Sequence, residues 1–124
     1  MKNGFTAISV VLILGAVVVG VATTVTLLSI GEAQSALSLF NGEDNLSFVE
    51  GCTEDALQRI RANSTFSLTS FPLAAGTCTV SYTTGGPTNW DITVSSSGTS
   101  YTRKIRAVFV RNPTGMTLTS WREV

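Results

Sequence analysis

The residues able to do chemistry in this chain of 124 residues are few and badly grouped. Histidine is absent, which removes the most frequent general base and the most frequent metal ligand. Two adjacent carboxylate pairs stand out, Glu43 with Asp44 and Glu54 with Asp55. Neighbouring side chains on a helix do not face each other, so these are poor acid–base dyads and poor metal clamps. Asn41, Glu43 and Asn45 alternate but lack the ligand set of a calcium loop. No serine motif accompanies Lys104, and no glycine-rich phosphate loop follows a strand. The expectation is a protein without catalytic residues, metal or cofactor.

One basic stretch calls for a test against nucleic acid. Arg103, Lys104, Arg106 and Arg111 interleave with Tyr101 and Phe109. On a strand the pleat divides them: Arg103 and Arg111 share a face with Ile105 and Phe109, while Lys104 and Arg106 lie on the other. Formal net charge is +0, whereas phosphate binding wants a clear positive excess on one face. A nucleic-acid partner is therefore disfavoured. The balance conceals a split. Glu32, Glu43, Asp44, Glu50, Glu54 and Asp55 come early, and Arg103, Lys104, Arg106, Arg111 and Arg122 come late. Such a split suits contacts between neighbouring copies, and equally an ordinary solvated surface.

The remaining reactive groups are Cys52 and Cys78. If they lie outside the cytoplasm, a disulfide is expected. It closes a loop of roughly 27 residues, worth about 3–4 kcal/mol in the chain-entropy account. A domain this small has little core to spare, so a staple of that size matters.

What must position these groups hangs from one stretch, residues 5–30, FTAISVVLILGAVVVGVATTVTLLSI. It carries no charge and no proline. As a helix it reaches roughly 39 Å, enough to cross a hydrocarbon core of about 30 Å with some tilt. It is too long for the apolar core of a cleaved secretory signal. Ala16, Gly20 and Thr24 recur every four residues, a small-residue face that lets helices approach closely.

The residues in front of it are specific. Lys2-Asn3-Gly4-Phe5-Thr6 and the apolar helix behind them resemble the class III signal of type IV pilins and pseudopilins. The resemblance implies cleavage by a prepilin peptidase between Gly4 and Phe5, and N-methylation of Phe5. It further implies a single-pass inner-membrane protein with its C-terminal domain outside the cytoplasm. Its partners would be membrane lipid, an inner-membrane assembly platform and other pilin subunits, the last joined in a filament of the type IV pilus or type II secretion kind. One departure matters. Major subunits of that family carry glutamate at the fifth mature position, which here is Ser9. That points to a minor subunit. The competing reading is a single-pass anchor carrying an extracytoplasmic binding domain, adhesive or DNA-binding, with no filament role.

Past residue 30, Ile30, Ala33, Leu37 and Phe40 continue a helical stripe. Asn41-Gly42-Glu43-Asp44-Asn45 is a breaker, either a kink in one long helix or a gap between two. A helix over 46–62 follows, with Ser47 and Glu50 in capping-box spacing. Residues 63–76 read as a loop. Period-two alternation then predicts four antiparallel strands, near 77–83, 89–95, 100–111 and 116–123. Turns are expected at Gly85-Gly86-Pro87, Ser96-Ser97-Gly98 and Asn112-Pro113-Thr114-Gly115. Leu118 and Trp121 read as core or edge residues. The expected division is a leader at 1–4, an assembly helix at 5–40 and a small α+β domain at 41–124, in the pilin-like arrangement of a long helix on a four-stranded sheet.

Overall fold

In the computed structural model the described residues are 2–97 and 101–124. They form a helix α1 (Lys2–Ala62) and strands β1 (Ser70–Leu73), β2 (Gly76–Thr84), β3 (Asn89–Ser97), β4 (Lys104–Asn112) and β5 (Gly115–Glu123). The fold is α+β, a long apolar N-terminal helix followed by an antiparallel sheet in the order β1-β2-β3-β4-β5. The chain divides into two compact units, Met1–Leu39 and Phe40–Val124. Helix alone makes the first. The second, called the head below, has the C-terminal part of α1 laid on the sheet.

In the head, helical periodicity and strand alternation meet in one core. Val49, Cys52, Ala56 and Ile60 recur at three- and four-residue spacing and are fully buried. Against them lie Val80, Ile92, Val94, Ile105, Ala107 and Phe109 from the inner face of the sheet. Trp90 stacks on Phe109 with ring centroids 6.2 Å apart and meets Tyr82 edge-on at 6.1 Å. Its indole nitrogen is buried with no acceptor among the described residues. Two turns hold as read. Gly85, Gly86 and Pro87 link β2 to β3, and Pro113-Thr114 link β4 to β5 across the Asn112–Gly115 pair.

The sheet has five strands instead of four. Residues 63–76, read as a loop, contain β1, whose Phe71 pairs with Cys78 and is buried. Pro72 has no N–H to give a second neighbour, and an edge position needs none. The third turn also moves. Ser96 and Ser97 belong to β3, and Gly98, like the expected strand start at 100, lies outside the described residues. Tyr101 and Arg103 precede β4 instead of lying in it.

No separate helix begins at 46. Asn41 to Asn45 are helical, and Ser47 with Glu50 caps nothing. The breaker residues are packing choices. Gly42 is buried beneath Arg103, whose Nη2 would lie 3.4 Å from any Cβ added there. Asn45 is buried, and its Oδ1 accepts a 2.7 Å hydrogen bond from Ser96 Oγ. Glycine in a helix costs about 1 kcal/mol, and these contacts offset it.

The helix ends where sequence placed its end. Asn63 N–H donates to Arg59 O at 2.9 Å, and Asn63 Oδ1 accepts from Thr65 N–H at 3.0 Å in an Asx turn. Arg111 of β4 covers the next two carbonyls, donating from Nε to Ile60 O at 3.1 Å and from Nη2 to Arg61 O at 3.2 Å. A cation at a helix C-terminus also suits the helix dipole.

Cys52 and Cys78 are joined, with Cα atoms 5.7 Å apart at a sequence separation of 26. The bridge ties α1 to β2 through the middle of the core. Replacing both cysteines with alanine in the full chain should lower the melting temperature of the head by roughly 10 °C or more, from about 3 kcal/mol of lost stability. Near-UV circular dichroism of the tryptophans reads this. An unchanged melt would show that the bridge adds no stability.

Candidate functional site

The unit Met1–Leu39 is a bare apolar helix. Ile8, Leu12, Val19, Leu27 and their neighbours are more than half exposed, and α1 is long and apolar enough to cross a membrane. Its few hydroxyls satisfy themselves. Ser9 Oγ donates to Phe5 O at 2.9 Å, Thr24 Oγ1 to Gly20 O at 2.6 Å, Thr26 Oγ1 to Ala22 O at 2.8 Å and Ser29 Oγ to Val25 O at 3.0 Å. Hydroxyls bonded back to the preceding turn present little polarity to lipid. Gly4 and Phe5 lie in the first turns of α1, and the Phe5 side chain is exposed. Ala16, Gly20 and Thr24 are exposed on the helix, and a Cβ on Gly20 would meet no atom within 4 Å. The surface is open to another helix along its length.

The candidate chemical groups are scattered. Among the described residues no three of His, Cys, Asp or Glu gather where they could hold a metal ion. Glu43, Asp44 and Glu54 are exposed on α1, and Asp55 is held by Arg59 Nε at 2.8 Å. Arg59 also lies 4.8 Å over the ring of Phe71, which fastens α1 to the edge strand β1.

The basic stretch is largely occupied inside the head. Arg103 pairs with Glu123. Arg106 grips Asp91 through Nε and Nη2, the former at 2.9 Å. Arg111 is spent on the helix end. The partners of these bases lie diagonally across strands or in another element, so sequence spacing gave no sign of them.

Two concave surfaces of the head are lined by described residues. One, of about 600 Å³, lies beside the β2–β3 turn and is lined by Phe66, Tyr82, Pro87 and Trp90 among others. Tyr82 Oη donates to Leu68 O at 2.7 Å, and burial pushes its phenol up from the ordinary value. The other, of about 390 Å³, lies between α1 and β5, with Leu57 and Arg61 on one side, Met116 and Leu118 on the other, and Phe109 between. It exists because β5 overhangs the helix. A bulge between Val108 and Phe109 on β4 and their β5 partners puts both Leu118 and Trp121 opposite inward residues, Phe109 and Ala107. Leu118 is nevertheless 50% exposed and Trp121 36%, so both belong to the edge and not to the core.

The Asp91–Arg106 pair sets an acid limit. Hydrogen bonds from Arg106 hold the Asp91 carboxyl below its ordinary 3.8, against an opposing push from burial, and the charges of Arg106 and Arg122 add to the lowering. A carboxylate with a depressed folded pKa adds stability above its unfolded pKa and loses it as pH falls through the folded one. Asp91→Asn should therefore destabilise the head at neutral pH, and the gap from the parent should close below 3.8. Urea melts across that range check it; a gap independent of pH would sink the assignment. A comparison of the chain with protein-family models, curated proteins and solved structures finds no match.

Proposed function

We propose that the chain is a minor pilin or pseudopilin-like structural subunit of a type IV pilus or type II secretion-like filament, held in the inner membrane before assembly. The observation that carries the reading is a coincidence of position. The leader-like Lys2-Asn3-Gly4-Phe5-Thr6 stands directly in front of a helix whose large apolar side chains have no cover inside their own unit. Such a helix needs lipid or other helices around it. The head, by contrast, closes its core around a disulfide, which suits an oxidising compartment on the far side of the membrane.

The role is mechanical. Processing after Gly4 would free Phe5 for methylation, and the apolar segment would then leave lipid for a bundle of like helices. Ser9 cannot pair with a neighbour's amine as a glutamate would, and its hydroxyl is already turned back to Phe5 O. A starting, tip or regulatory position follows more readily than bulk fibre.

The test is the intact mass of the protein from its native host under non-reducing conditions. The expected mass lacks residues 1–4, carries one added methyl and misses two hydrogens. A mass that keeps Lys2 and Asn3 would leave an anchored extracytoplasmic domain with no filament role.

A further inference from the structure

The groove between α1 and β5 has an apolar floor and one base at its edge. Leu57 and Arg61 stand four residues apart on α1, so they lie on the same side of the helix. Arg61 forms no ion pair among the described residues, whereas its neighbour Arg59 is taken by Asp55. At the other end of the head's helix, Phe40 and Asp44 stand at the same four-residue spacing. Phe40 is 66% exposed, and Asp44 is exposed without an ion pair among the described residues. One end of this helix offers an apolar ring followed by an acid. The other offers an apolar groove followed by a base.

We propose that the groove receives the Phe40–Asp44 ridge of a second copy of the chain, with Phe40 against Leu57 and Leu118 and Asp44 on Arg61. The proposal rests on the filament reading for one thing, the parallel direction of helices inserted in the same membrane. Given that direction, a single axial shift of about 17 residues, roughly 26 Å, brings both pairs into register at once. A chain cannot satisfy its own groove, because ridge and groove lie on one helix at that separation. The contact joins different surfaces on the two copies, so it repeats head to tail and does not close. Pairing of the β5 edge with another strand is the less suited use of this flank, because the bulge beside Leu118 disrupts the ladder there.

The experiment is cross-linking of the full chain in its native host, where subunits can leave the bilayer, because two spans held level in one membrane cannot be offset by roughly 26 Å. Glu43→Cys and Gln58→Cys are exposed positions flanking the ridge and the groove, and neither native cysteine is free. A short bis-maleimide should give a ladder of dimers and higher multimers for the double variant. Asp44→Arg added to it should cut the ladder about tenfold by setting like charges together, and Asp44→Arg with Arg61→Asp should restore it. Formation of the Cys52–Cys78 bridge in each variant shows that the head has folded. Absence of the ladder, or a ladder indifferent to Asp44→Arg, overturns the proposal, as does cross-linking only to a different polypeptide. The N-terminal mass is read on the same samples. A cleaved leader without a ladder defeats the groove alone, and a ladder on an uncleaved chain, whose spans stay level in one bilayer, overturns both the axial register and the filament reading.

Discussion

Everything in this chain follows from the need of one helix to satisfy different surroundings along its length. Over residues 5–30 its surface is apolar all round and its hydroxyls are bonded back to their own backbone. From Asn45 to Ile60 only one stripe is buried, and the opposite side is charged. The first pattern belongs to a medium without water and the second to the edge of a folded domain. The head cannot be built without this helix, since its core has Cys52, Ala56 and Ile60 on one side and the sheet on the other.

The head is small, and its interlocks are placed where a two-layer domain is weakest. Besides apolar contact, helix and sheet are joined by the Cys52–Cys78 bridge, by Ser96 to Asn45 at the start of the buried stripe, and by Arg111 at its end. Each acts on a different strand, β2, β3 and β4. Arg59 over Phe71 adds β1. Among the described residues, the links named here reach β1 to β4, and β5 is held to the sheet by its pairing with β4. That is also the strand with exposed apolar side chains. A flank left uncovered beside a domain so thoroughly fastened elsewhere is the natural place for a contact with a neighbour.

The class of fold was legible because it rests on periodicity. Three- and four-residue spacing from Val49 to Ile60 and alternation through β2, β3 and β4 are strong patterns, and the positions they mark are the buried ones. The cysteine pair was legible for the same reason, since both positions fell on inward faces. What escaped was set by tertiary contacts. Asn41-Gly42-Glu43-Asp44-Asn45 has poor helix propensity, yet Gly42 makes room for Arg103 and Asn45 holds Ser96. β1 is four residues long and contains proline, so no alternation could announce it. The bulge that turns Leu118 and Trp121 the same way leaves no trace in a period-two reading. The basic residues looked like a patch because their acids lie far away in sequence.

If the chain assembles as proposed, the energetics of assembly follow from the same helix. Its apolar surface would be covered by lipid before assembly and by like helices afterwards, so burial of that surface would change little between the two states. Under that proposal the free energy favouring a filament would come from elsewhere. Small-residue contacts such as those available at Ala16, Gly20 and Thr24 supply dispersion and close packing. Contacts between heads, which pass from water into an interface, carry a true hydrophobic gain of about 25 cal/mol per Å² of apolar area. In water an exposed Phe40, Leu118 or Trp121 is therefore worth more to assembly than any one valine in the membrane span. In such a proposed subunit a surface of that kind would have to stay modest, because a stronger one would join heads before the helices had left the lipid.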